Sequence, residues 1–162
     1  MRILMMVLLL VVPLSLAAEE EESLTVSVKR LTLDTATRIA QGAIQSCREK
    51  GVQIGVTVVD RNGIEQAVLR DTLAPQITLP ISKGKALAAV NFGVATSALA
   101  DRANTPIGRV PGLVMSTGGL LVEAGGVMYG AVGVSGAPSG KTDEECAQGG
   151  LDAVLEDLEM AM

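Results

Sequence analysis

The apolar positions along the chain change their spacing several times, and each change marks an element. Leu24-Thr25-Val26-Ser27-Val28 alternates apolar and polar, the period-two pattern of a half-buried strand. From Ala36 through Ile39, Ala40, Ala43, Ile44 and Cys47 the spacing becomes three and four, which puts these side chains on one helical face. Thr32 stands at the N-cap and Gly51 at the stop, so the spacing predicts a helix over residues 33–50 with Cys47 on its buried face. Ile54 to Val59 is rich in β-branched residues, and Ile64 to Leu69 follows after Asp60-Arg61-Asn62-Gly63. Asn-Gly accepts the positive φ angles of a tight turn, so these two runs form a hairpin.

The second half repeats the logic with more glycine. Pro75 marks residues 73–78 as loop, and Pro80 suits the first turn of a second helix running through Lys85-Ala86-Leu87-Ala88-Ala89 to Phe92. A short third helix is expected at Ser97 to Asp101. Residues 102–119 hold Pro106, Pro111 and four glycines and read as a long irregular loop, of the kind that is often functional. Leu120 to Glu123 and Val127 to Ser135 are strands about a Gly125-Gly126 turn. Gly130 and Gly133 inside the second strand mark places where something approaches the backbone closely. Thr142 and Glu145 spell a capping box for a terminal helix that places Ala147, Leu151, Val154, Leu155 and Leu158 on one face. The order β-α-β-β-α-α-β-β-α, with strand pairs joined by tight turns, predicts a single α+β domain: an antiparallel β-sheet with packed flanking helices.

The N-terminus is of a different kind. Met1-Arg2 is followed by an apolar run from Ile3 to Leu16, interrupted only by Pro13 and Ser15. Ser15 and Ala17 are small residues at the −3 and −1 positions of a cleavage site. Residues 1–17 are therefore expected to be a signal peptide, since a spanning helix needs roughly 20 apolar residues. Residues 18–23, with Glu19 to Glu22, form an acidic linker, and 24–162 the domain. The mature protein is expected to be periplasmic or secreted, with no stable membrane insertion after cleavage. In an oxidising compartment Cys47 and Cys146 either form a disulfide or remain two buried thiols, and spacing does not decide between them.

Composition then removes whole classes of chemistry. There is no histidine and no tryptophan, and Phe92 and Tyr129 are the only aromatic side chains. A Ser-His-Asp triad, an HExxH zinc site and an aromatic platform for bases are all excluded. The net charge of −5 carries no basic stripe, so no nucleic-acid partner is expected. Two cysteines without histidine make a poor metal site. Ser135 has no histidine base beside it, so no catalytic residue is assigned and an enzyme is disfavoured.

Several fragments occur in a telling order: Leu31-Thr32-Leu33, Val58-Val59-Asp60 with Gly63, Arg70-Asp71, Lys85-Ala86 and Gly118-Gly119. Then follows Gly130-Ala131-Val132-Gly133-Val134-Ser135-Gly136, with Asp143 seven residues on and Gly150 beyond. Over roughly residues 30–158 this set resembles the GlcG/HbpS-like family, often labelled haem-degrading or haem-binding. The resemblance implies a compact domain with an antiparallel sheet, a homo-oligomer and a small-molecule ligand. Haem or a related tetrapyrrole is the leading cofactor, and a glycolate-type carboxylate metabolite, handled by a small enzyme or accessory subunit, is the alternative.

The ligand-binding residues expected on these grounds are Arg70, Lys85, Gly118, Gly119, Gly133, Ser135 and Gly136. Arg70 and Lys85 can receive a carboxylate or a haem propionate, the arginine as a bidentate fork. The competing reading is an internal ion pair, such as Lys85 with Asp71. The loop from Gly133 to Gly136 can offer N–H groups to an anion, or can simply be a tight strand exit. Asp60 reads as a turn former. Without histidine, an axial ligand for haem iron would have to be Met, Cys, Tyr, Lys or an oxygen donor, with Met115, Met128 and Tyr129 the candidates near the glycine-rich region.

Overall fold

In the computed structural model, residues 23–161 are described. The signal-peptide segment and all of the acidic linker but Ser23 lie outside them. The elements are α1 (Leu33–Glu49), β1 (Gly55–Asp60), β2 (Glu65–Arg70), α2 (Thr78–Phe92), β3 (Gly119–Ala124), β4 (Val127–Ser135), α3 (Gly140–Asp152) and α4 (Leu155–Met160). Two 3-10 segments, Thr96–Arg102 and Pro106–Arg109, lie in the connection between α2 and β3.

The strands form one antiparallel sheet in the order β2-β1-β4-β3. Both hairpins fall where the turn residues place them. Gly63 has a φ of +81°, and the Asp60 carboxylate accepts from the N–H groups of Asn62 and Ile64, the turn-forming role expected of it. Every residue of β1 is buried, because both faces of the sheet are covered. Val56, Val58, Val132 and Val134 face α1 and α3. Val59 and Ala131 face Ala86, Ala89 and Val90 of α2, and Ala88 on the far side of α2 packs on Leu99 and Met115 from the long connection. With almost no aromatic volume available, the layers close by approaching one another. A Cβ on Gly150 of α3 would stand 2.5 Å from the Ile39 carbonyl of α1. The same pair of helices is cross-linked by a Cys47–Cys146 disulfide with a Cα–Cα distance of 5.3 Å, so the pairing left open by spacing is formed.

Three expectations are corrected. Leu24 to Val28 is not a strand: its apolar side chains are exposed, Leu24 fully and Val26 at 86%. A strand needs a neighbour's ladder of hydrogen bonds, and this segment meets neither edge of its own sheet. The terminal helix is two helices, broken at Ala153 and Val154, which lets Leu155 and Leu158 turn back onto the core. Its N-cap is Ser139, which accepts from the Thr142 N–H, rather than Thr142 itself. The serine begins the helix earlier because its hydroxyl reaches the third N–H of the first turn.

Candidate functional site

The glycine-rich strand and Lys85 come together, as their order suggested, but around the protein's own atoms. Lys85 lies on α2 with 3% of its side chain exposed. Its ammonium donates to Asp143 Oδ2 at 2.7 Å and to the Val134 carbonyl at 2.9 Å. The lysine's internal partner is thus Asp143 and not Asp71. The second Asp143 oxygen accepts from the Ala137 N–H at 2.9 Å, in the loop after Gly136. The anion held by that loop is a carboxylate of the chain.

The glycines explain how α2 gets so close. A Cβ on Gly133 would stand 2.0 Å from the Ser82 carbonyl of α2, and one on Gly119 would stand 2.6 Å from the Lys85 carbonyl. Gly118, at φ +123°, lies under Lys85 Nζ and the Asp143 side chain. Gly136 passes against the Gln53 carbonyl, and Ser135 is buried at the end of β4. Of the expected ligand-binding residues, Lys85, Gly118, Gly119 and Gly133 therefore sit where the sheet meets α2 and α3, and Ser135 and Gly136 at the strand exit, where Gly136 meets Gln53 and Ile54. The space beside Gly119 and Gly133 is filled by the α2 backbone, and that beside Gly118 by the Lys85 and Asp143 side chains.

Arg70 is elsewhere, and its surroundings are open. It ends β2 at the surface, beside Asp71, which is 4% exposed. Arg48, in the last turn of α1, grips Asp71 with two parallel hydrogen bonds of 2.7 Å, from Nε and Nη2. This bidentate contact, helped by the Thr72 N–H, holds the Asp71 carboxyl at a pKa of about 2 and raises that of Arg48. Arg70 Nη1 donates to the carbonyls of Ala74 and Asp71 and has no carboxylate partner among the described residues. The two guanidiniums line a cleft of about 440 Å³ together with Ile44, Leu69, Gln41, Gln45 and Thr72. Asp71 lines the cleft too and neutralises Arg48, so one uncommitted cation, Arg70, stands beside a partly apolar wall, which suits an apolar molecule that carries a carboxylate. Asp71, held ionised, is not a proton donor near neutral pH.

The cleft also tests haem. Its lining contains no sulfur, imidazole or phenol. Met115 is buried among Ala88 and Leu99, Met128 packs against the Val59 cluster, and Tyr129 belongs to the main core. Both cysteine sulfurs are in the disulfide. The residues present fit the carboxylates and apolar edge of a tetrapyrrole. Toward the iron they offer only amide, hydroxyl and carboxylate oxygens. Among the described residues no cluster of three metal-ligating side chains occurs, and no helix is long and apolar enough to cross a membrane.

Sequence reasoning missed Arg48, whose position in a last helical turn reads as an ordinary dipole partner. It placed Asp143 in the ordered pattern without its role. The signal available was Lys85 itself, since a lysine in an alanine-rich stretch requires a buried counter-ion.

Residues 31–152 match a protein family described as haem degrading protein HbpS-like. A double mutant of HbpS from Streptomyces reticuli has 32% sequence identity and a TM-score of 0.76, over 88% of this chain and 99% of that one. Protein ORFY of Klebsiella pneumoniae has 26% identity and a TM-score of 0.75, over 82% and 96% of the two chains. The PduOC:heme complex shares the fold, at 23% identity and a TM-score of 0.71, over 77% and 95%. Among curated proteins none matches the chain.

Proposed function

The chain belongs to the HbpS-like family, and from that premise we propose that it is an exported homo-oligomeric protein that binds haem or a related tetrapyrrole. The observation that carries this reading is the cleft of Arg48 and Arg70, where one guanidinium has no carboxylate to hold. Arg70 would hold a propionate, with Arg48 kept beside it by Asp71, and Ile44 and Leu69 would meet the apolar edge of the macrocycle. Bound haem would supply iron chemistry; this chain's residues bind the periphery and leave the iron without a strong axial side chain. The buried Cys47–Cys146 disulfide, formed in oxidising compartments, supports export, as does the apolar N-terminal segment. The alternative of an enzyme acting on a glycolate-type carboxylate finds an anchor here but no general base, because Asp71 is committed to Arg48.

Titration of the protein with haem and with iron-free protoporphyrin tests the reading. Both should bind with similar affinity, and Arg70→Ala should weaken both about tenfold, the loss of one charge-assisted contact. Binding no stronger than to an unrelated acidic protein would overturn it. Haem binding far tighter than protoporphyrin would show that an axial ligand, rather than this cleft, dominates.

A further inference from the structure

Two uncovered surfaces among the described residues match each other. The first is the segment Leu24 to Val28. Leu24, Val26 and Val28 are exposed at 101%, 86% and 46%, and alternate with Thr25 and Ser27. Its base is fixed: Leu31 is buried, Arg30 Nη1 lies 3.0 Å from Asp60 Oδ2, and Gln66 donates to the Leu31 carbonyl at 2.9 Å. Beyond that anchor, the hydrogen bonds of the segment are local ones between Ser23 and Thr25. It is an arm with the side-chain pattern of a strand and an unused backbone.

The second surface is the outer edge of β3, which pairs with β4 on one side only. Val134 N–H donates to the Gly118 carbonyl, and this phase turns the backbone groups of Gly119 and Leu121 outward. Thr96 satisfies Gly119, donating to its carbonyl and accepting from its N–H. The ladder leaves Leu121 facing a groove of about 270 Å³, walled by Val122, Leu151, Val154, Leu155 and Leu158. No lysine or proline interrupts Gly119–Ala124; the one charge, Glu123, and the register shift between Val122 and Glu123 lie at its far end.

We propose that the arm of one copy adds as a strand to the β3 edge of a second copy, seating its apolar side chains in this groove. With Gly119 held by Thr96, the edge left runs from Leu120 to Ala124, about 17 Å, the span of a five-residue strand. None of residues 23–28 lines the groove of its own copy, which leaves it open to a neighbour's arm. Each copy then gives one arm and receives one, and where two copies exchange arms reciprocally the assembly closes as a symmetric dimer. The lone charge beside the arm also fits, since neither Lys29 nor Glu123 at the end of β3 has an ion-pair partner among the described residues. The inference rests on the homo-oligomer reading and names the contact that makes it.

The test begins with the assembly state of the unaltered protein by sedimentation, followed by two variants. Val26→Asp places a charge on the arm's apolar face. Leu121→Pro removes an outward N–H and leaves the ladder to β4 intact. Each should weaken association roughly tenfold or more with unchanged far-UV circular dichroism. Amide exchange at Leu121 should slow as protein concentration rises, and should lose that dependence in Val26→Asp. An assembled protein whose association ignores Val26→Asp overturns the arm contact alone. Protection at Leu121 that is independent of concentration shows the arm folding onto its own edge and also overturns it. An unaltered protein that stays monomeric overturns the oligomer reading as well.

Discussion

Replacing Lys85 by methionine separates a structural lysine from a ligand-binding one. The ammonium lies 2.7 Å from the Asp143 carboxylate, and both side chains are nearly fully buried, at 3% and 6% exposed. At an effective dielectric of about 20 the attraction is roughly 6 kcal/mol, much of it offset by the desolvation of both ions. Methionine keeps the volume and removes the charge. It leaves Asp143 with the Ala137 N–H alone and the Val134 carbonyl without its side-chain donor. Breaking one side of a buried pair costs about 3–5 kcal/mol. With a urea slope of about 2 kcal/mol per molar, the unfolding midpoint should fall by about 2 M. Far-UV circular dichroism is the suitable probe, because the chain has no tryptophan and a single tyrosine. The double variant Lys85→Met with Asp143→Leu should recover most of the loss, even where the single variant does not fold. A single variant that loses less than about 1 kcal/mol would refute the reasoning. So would one that keeps its stability while losing tetrapyrrole affinity, which would make the lysine a ligand anchor.

Three further outcomes follow from the same geometry. Replacing both Cys47 and Cys146 by alanine opens a 99-residue loop, and the chain-entropy ceiling for such a loop is about 4.7 kcal/mol; thermal denaturation should show a loss of about 2–5 kcal/mol, and an unchanged midpoint would contradict it. Gly133→Ala should prevent stable folding or displace α2, since its Cβ would stand 2.0 Å from the Ser82 carbonyl; a soluble variant with native amide exchange in α2 would contradict the close approach. Asp71 has its carboxyl lowered from 3.8 to about 2, so its contribution is complete above pH ~4 and is lost as the pH falls toward 2. Screening at the half-exposed Arg48 brings that contribution to about 1 kcal/mol, which Asp71→Asn should remove at neutral pH and not at pH ~2.

The parts of the fold that depend on neighbours in sequence were legible. Helical spacing and the Thr32 cap placed α1, and the Asn62-Gly63 and Gly125-Gly126 turns placed both hairpins. The glycines of β4 were rightly read as points of close approach. What approaches is α2 at Gly133 and the β1 backbone at Gly130, which only the three-dimensional packing reveals. The arm at Leu24 to Val28 has the pattern of a strand, but pattern alone does not say where its ladder lies. At the site, Arg70 was visible as a cation ending an apolar strand. The neighbouring Arg48–Asp71 clasp joins residues 23 positions apart, and nothing in local spacing announces it. The lysine's partner, 58 positions away, was present in the ordered set of fragments without a contact assigned to it.

The cross-link between α1 and α3 also orders events during synthesis. Cys146 emerges 99 residues after Cys47, once both hairpins and α2 have been made. Throughout that interval Cys47 is a thiol without a mate. The cross-link therefore distinguishes the finished domain, whose two cysteines are paired, from a chain truncated before α3, whose Cys47 has no partner. Alkylation of nascent chains of increasing length should read this as a single step, at the length where α3 first docks on α1.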